Sequence, residues 1–265
     1  MITVFTPTYN RAHTLPALYC SLLKQTYTDF EWLIIDDGST DNTQELIGSF
    51  IKEDRISIRY KQVPNGGKHR AINKGTELAK GEYFFIVDSD DLLTSDALAK
   101  IKCWFDEIEP DKDKFAGVAG QKGTDTLHAL GTTFDKDHVD IPYYDRTRFG
   151  IRGDKAEAFY TDILRRYKFP EFPGENFITE AVVWCKIAQD GYSLRYFNDI
   201  IYICEYLADG LTKNATARRI KNIRGTLYAY RYLTSVRQLP TALRFRYLLN
   251  YLRFIVHAGL KCLNL

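Results

Sequence analysis

Through the first 110 residues the apolar positions switch between a strand-like and a helix-like period. Residues 2–6 form a short β-rich run that ends in Pro7-Thr8-Tyr9-Asn10. Leu15, Leu18, Leu22 and Leu23 then recur at helical spacing and predict a helix over residues 14–25. A second buried strand is expected at 30–35, closed by Asp36-Asp37-Gly38-Ser39-Thr40-Asp41. A helix at 43–52, an alternating strand at 56–60 and, beyond the Gly66-Gly67 turn, a helix at 70–80 follow. Residues 83–87 are all apolar, as suits a central strand covered on both faces, and run into Asp88-Ser89-Asp90-Asp91. Ser95 is placed to cap a helix reaching residue 108. This order predicts an α/β fold with a mixed, mostly parallel sheet flanked by helices and joined by right-handed crossovers. Ligands of such sheets bind at the carboxyl ends of the strands, where the polar clusters 7–11, 36–41 and 88–91 fall.

Residues 111–175 mix Gly, Asp, Tyr and Pro without a clear period, and a loop-rich substrate region is expected there. A helix is predicted over 177–188 with Gly191 as its stop, then one or two strands over 192–204. The resulting division is an α/β domain over 1–210, with a nucleotide-type half (1–110) and a substrate half (111–210), and a helical extension over 211–265.

Charge separates that last segment from the rest. It holds 11 Lys or Arg and no acid, leaving 25 basic against all 34 acidic residues before it, a net of −9. From residue 241, Arg246, Asn250, Arg253, His257, Lys261 and Asn264 fall on one polar stripe of a helix whose remaining surface is apolar. Such a helix suits an anionic membrane interface; a helix packed on the catalytic domain, with its cations reaching outward, is the alternative. No apolar run approaches the roughly 20 residues of a membrane-spanning helix. The first residues lack a basic, then apolar, leader pattern, which predicts a cytoplasmic protein, peripheral on the inner face of the plasma membrane. The five cysteines are far apart with no CxxC pair, and each reads as a small buried apolar residue.

Asp88-Ser89-Asp90-Asp91 is the strongest chemical signal. Carboxylates two apart at a strand end repel unless a cation lies between them, and oxygen ligands suit Mn²⁺ or Mg²⁺; a solvated acidic loop is the plain alternative. Together with Pro7-Thr8-Tyr9-Asn10-Arg11, the 34–41 segment, Asn65-Gly66-Gly67-Lys68 and 79–83, this tetrapeptide closely resembles family 2 glycosyltransferases over residues 1–110, and more loosely over 175–210. The resemblance implies a GT-A (Rossmann-like) fold, a nucleotide-sugar donor, a divalent cation on a DXD motif, and inversion at the anomeric carbon. It implies that Tyr9 stacks on the donor base, that Asp37 accepts from it beside Thr8 and Arg11, and that Asp36 shapes the turn. It also implies that Lys68 faces the diphosphate or ribose, that Asp88 serves the ribose or a metal-bound water, and that Asp90 holds the cation. The general base falls on Glu180, counting back from Trp184 and Gly191-Tyr192; Thr179 stands where the family carries a second acid, and Glu175 is the alternative.

With the tail, the resemblance implies a UDP-sugar donor and a saccharide acceptor, possible forms including a polyprenyl-diphosphate-linked one, in capsule, O-antigen or exopolysaccharide synthesis. Two rival readings fit the sequence less well. A nucleotidyltransferase carries a Gly-rich basic loop after its first strand, which residues 7–11 lack. A nucleic-acid-binding protein fits the tail alone, against an acidic first 210 residues and no nucleic-acid motif. His69, His128 and His138 lack metal-ligand spacing and read as surface or hydrogen-bonding residues.

Overall fold

The structure, a computed structural model, describes residues 1–204 and 215–263. The 210/211 boundary and the side chains of Lys261 and Asn264 lie outside the described residues.

Four strands, β1 (Ile2–Thr8), β2 (Phe30–Asp36), β3 (Ser57–Gln62) and β4 (Tyr83–Ile86), pair in parallel in the order β3-β2-β1-β4. Helices α1 (Leu15–Leu22), α2 (Thr43–Glu53) and α3 (Lys68–Leu78) cross between them, and α4 (Ala97–Ile108) follows. Every residue of β2 is buried, which is why its sequence shows an apolar run rather than alternation. Aromatic pairs fill the layers on either side: Phe5 stacks on Phe84 at 4.9 Å between centroids and Tyr19 on Phe50 at 4.1 Å. The register sets Thr8 beside Asp36 and Asp36 beside Gln62, so the polar strand ends share one edge.

The second half makes the sheet mixed. Among the described residues nine strands form one sheet, continuing from β4 through β8 (Lys155–Tyr160), β6 (Phe115–Gly123) and β9 (Ser193–Cys204) to β5 (Asp91–Leu93), with β7 (His138–Ile141) also on β9. The region expected to be loop-rich therefore carries three strands. β6 is buried on both faces, and a Cβ at its Gly117 would lie 2.0 Å from the Ala158 carbonyl oxygen. Glycine there permits close strand packing and at the same time erases the apolar signal.

Helices α5 (Thr161–Arg166) and α6 (Ala181–Gln189) flank this half. Residues 177–180, predicted helical, precede α6 instead, and Glu180 is its N-cap. The chain ends in α7 (Ala215–Lys221), α8 (Ile223–Ser235) and α9 (Thr241–Leu263). α9 packs on α8 through Phe254, whose ring stacks on Tyr230 at 5.7 Å. Burying that ring contributes about 2 kcal/mol. The opposite side of α9 leaves Phe245, Leu248, Leu249, Leu252, Ile255 and Val256 exposed, with Arg246 and Arg253 also exposed. α9 thus packs on α8 and also keeps an apolar face outward. No helix among the described residues is long and apolar enough to cross a membrane. Of the cysteines, Cys185 is buried and Cys204 partly so, but Cys20 and Cys103 are exposed, contrary to the sequence reading.

Candidate functional site

The ends of β1 and β2 are laced into one surface. Asn10, at a left-handed φ of 52°, donates its N–H to Ser39 Oγ at 2.8 Å and accepts from the Thr40 N–H at 2.8 Å. Asp36 takes the Ser39 N–H at 2.8 Å and the Tyr60 hydroxyl at 2.6 Å, so both its oxygens hold the turn. Asp37 is buried and accepts the Gly66 and Gly67 N–H groups at 2.7 and 2.8 Å, with Asn65 Nδ2 at 3.2 Å. Burial raises its pKa despite these donors. Its carboxylate thus braces the loop ahead of α3. The Thr8 hydroxyl is buried with no hydrogen-bond partner among the described residues, and the neighbouring Tyr9 ring is 48% exposed. An unpaired hydroxyl beside an open aromatic face suits a planar polar ligand.

Beyond β4 the acidic tetrapeptide meets charge from three distant elements. Lys68, the first residue of α3, sets Nζ 2.7 Å from Asp88 Oδ1 and 3.2 Å from Glu180 Oε1. Burial disfavours that ammonium, but the two carboxylates raise its pKa. Burial likewise opposes the Asp88 charge, and Lys68 and Lys122 hold its pKa below the usual carboxylate range. The Asp88 backbone N–H donates to Tyr202 Oη at 2.9 Å, and Lys122 lies 4.0 Å from the centroid of the same ring. Asp90 differs: burial and Asp88 raise its pKa, while Arg11, 3.9 Å away, opposes them. Burial pushes Asp91 up to about 6.

Glu180 is carried on a segment held from outside the sheet. Glu175 accepts the Arg224 and Gly225 N–H groups at 2.7 and 2.8 Å, capping α8, so its carboxylate is committed to structure. Asn222 is buried and accepts the Asn176 N–H at 2.7 Å. The segment crosses directly over Gly67, where φ is 94° and a Cβ would lie 1.9 Å from the Asn176 carbonyl oxygen. Lys68, Asp88, Glu180, Arg219 and Thr179 line one cleft of about 400 Å³ at the carboxyl end of the parallel strands.

No group of three or more His, Cys, Asp or Glu suited to a metal occurs among the described residues. Asp90, a single half-buried oxygen donor whose own charge is disfavoured, fits Mg²⁺ or Mn²⁺ only where a ligand's phosphates complete the shell, which is the usual habit of these ions.

The profile of glycosyl transferase family 2 matches residues 3–169, more than half of the chain. The chain belongs to that family. A Campylobacter jejuni relative, described as GalNAc(5)-diNAcBac-PP-undecaprenol beta-1,3-glucosyltransferase, is 27% identical over 199 residues, covering 71% of this chain and 60% of that one. Matches to the first curated relatives cover from 36% to 60% of their lengths. Among solved structures, S. aureus TarS 1-349 in complex with UDP-GlcNAc superposes with a TM-score of 0.69 at 19% identity, over 96% of this chain and 72% of that one. The mannosyltransferase PcManGT from Pyrobaculum calidifontis, in complex with GDP-Man and Mn²⁺, gives 0.60 at 22% identity, over 87% and 63%. The family 2 chain therefore has the GT-A fold that its motifs led one to expect.

Three groups of this family 2 site escaped sequence reading. Lys122 and the pair Arg146–Glu157, 3.7 Å apart, come from β6, β8 and the loop between them, with no local motif. His69, read as a surface or hydrogen-bonding residue, is buried with Nδ1 unpartnered, and burial lowers its pKa to about 4. Burial drives Glu157 up to about 7 from 4.5, against the pull of Arg146. A carboxyl whose folded pKa is raised adds stability that is full below its unfolded pKa and lost as pH rises through the folded one. Glu157→Gln carries no such loss. Its melting temperature should therefore gain on wild type between about pH 5 and about pH 8, by roughly 2–4 °C for each kcal/mol relieved. A difference that stays flat over that range would show that Glu157 is not the group being ionised.

Proposed function

We propose that the chain is an inverting glycosyltransferase moving a sugar from a UDP-sugar to a hydroxyl of a glycan or lipid-linked saccharide. The observation that carries this reading is the joining of Asp88, Lys68 and Glu180 within 3.2 Å contacts in one cleft, with Asp90 beside them. Inversion needs a base on the face opposite the leaving group and charge stabilisation at the leaving diphosphate. Glu180, 39% exposed at the N-terminus of α6, is the base. Tyr9 and Thr8 receive the donor base, with Asp37 fixing the loop that borders it. Lys68 and Arg11 supply fixed positive charge near the diphosphate, and Asp88 orients the ribose. Asp90, with the donor phosphates, would hold a divalent cation, Mn²⁺ or Mg²⁺, which would supply charge neutralisation for the departing nucleotide.

UDP is favoured over GDP by the fuller overlap with the UDP-GlcNAc-bound TarS than with the GDP-Man-bound PcManGT. A lipid-linked acceptor and a place in capsule, O-antigen or exopolysaccharide assembly are supported by the undecaprenol-linked acceptor named for the Campylobacter relative. The exposed apolar face of α9, bordered by Arg246 and Arg253, supports peripheral association with the anionic inner face of the plasma membrane.

Thermal melting against nucleoside diphosphates and their sugars, with Mn²⁺ or with EDTA, tests the donor site. At a hundredfold excess over Kd the gain is about 2.7 kcal/mol, roughly 5–10 °C. A UDP-selective rise that needs the metal is expected. Equal response to every nucleotide, or none, sinks the reading.

A further inference from the structure

A second cavity, of about 270 Å³, lies on the far side of the segment that carries Glu180. Its walls come from Thr179, α8 and α9, and it shares Phe177, Ile178, Thr179, Ala181 and Arg219 with the catalytic cleft. Tyr230, Leu233, Leu243 and Tyr247 make much of it apolar. Two guanidinium groups line it: Arg219, half-buried at the wall common to both cavities, and Arg246, exposed at its α9 rim. Neither has a carboxylate partner among the described residues, and residues 211–265 contain no acid at all. Positive charge is crowded here, for burial and Arg219 together lower the pKa of the adjacent Arg218. A half-buried cation without a counter-charge is costly, and an anionic ligand removes the cost. Arg246 also borders the outward apolar face of α9, beginning at Phe245 and Leu249.

We propose that this cavity is the acceptor's anchor: Arg219 and Arg246 grip the phosphate end of a lipid-linked saccharide, the apolar walls and outer face of α9 take the start of its hydrocarbon chain, and its sugar reaches Glu180 across the shared wall. The proposal rests on the glycosyltransferase reading and specifies the acceptor. Phosphate in an apolar pocket explains the paired arginines, and a hydrocarbon chain explains why polar and apolar lining continue into an exposed apolar helix face. A soluble glycan acceptor would call for neither.

The full chain, with Mn²⁺ and both with and without saturating UDP, is titrated with farnesyl diphosphate, with inorganic pyrophosphate and with farnesol. Farnesyl diphosphate should bind, and bind at least about 10-fold more tightly than either half-molecule, since charge-assisted bonds and apolar burial both contribute. Arg246→Glu should weaken it about 10-fold or more by reversing one of the two charges. The variant's UDP-induced rise in melting temperature should match wild type, which shows that it folds; Arg246→Gln serves if it does not. Pyrophosphate binding as tightly as farnesyl diphosphate would make this a free-phosphate site and overturn the lipid assignment. Displacement of farnesyl diphosphate by UDP would place it in the donor site and also overturn it. Absence of farnesyl diphosphate binding while UDP still binds ends this inference and leaves the donor reading standing; absence of both ends the two together.

Discussion

Glu180→Gln is expected to lower turnover by about 10²–10⁴-fold while leaving melting and UDP binding unchanged. The substitution is nearly isosteric and removes only the ability to take a proton. The backbone at this position is fixed independently of the side chain: the Glu180 carbonyl accepts from Val183 and Trp184 at 2.9 and 3.1 Å, and Val182 and Trp184 anchor α6 in the core. The amide oxygen can still receive Lys68, so the contact at 3.2 Å need not be lost. A fall in turnover without a fall in stability is thus what a base predicts, whereas an ordinary helix-start carboxylate predicts a small loss of stability and no fall in turnover. Glu175 supplies the contrast. Its oxygens cap α8, so Glu175→Gln should cost stability through the two N–H groups it serves. Steady-state rates with the matching UDP-sugar decide the matter. If Glu180→Gln turns over within a few-fold of wild type, the base lies elsewhere, and Glu157 in the same cleft is the next carboxyl to change.

Asp90→Ala should separate binding from stability in the opposite sense to most buried substitutions. Burial and Asp88 raise the Asp90 pKa, so its ionised form is a strain on the folded protein that grows as pH rises through the folded value. In EDTA near pH 8 the variant should therefore melt no lower than wild type. With Mn²⁺ and UDP it should lose the metal-dependent part of the nucleotide shift, and turnover should fall by about 100-fold or more, since such a cation is worth several kcal/mol to a leaving diphosphate. A Mn²⁺-dependent UDP shift that persists in Asp90→Ala would falsify the assignment of the cation to Asp90.

The parallel half of the fold was legible because each strand is a short apolar run and each helix carries its own 3.6-residue period. The acidic ends of β2 and β4 stood out against those runs. Beyond residue 110 the same logic failed for physical reasons. β6 is central, but it reads Phe-Ala-Gly-Val-Ala-Gly-Gln-Lys-Gly, because its neighbours approach too closely for large side chains. β8 carries Lys155 and Glu157 inward, against Gln121 and Arg146, so a charged pattern hides a buried strand. Before residue 110 only β5 was hidden in the same way, being three residues long and below any periodicity. The start of α6 was read too early because Phe177 and Ile178 are apolar for a different purpose, lining the two cavities rather than continuing a helix. In the site, motif residues on one strand end were visible; Lys122, Arg146, Glu157 and Arg219 reach it across the sheet or from the last helices, and no local spacing announces them.

The Glu175 and Asn222 contacts give the C-terminal helices a second office. Because α8 is fastened to Glu175 and Asn176, only a few peptide bonds separate it from Glu180, and any tilt of the α8–α9 pair is felt at that carboxylate. If α9 rests on a membrane as proposed, the geometry at Glu180 would be referenced to that surface, much as an instrument is levelled by its feet. Depth and angle at that surface would then become variables of the rate, and a lipid composition that alters them would alter turnover with every residue of the cleft unchanged.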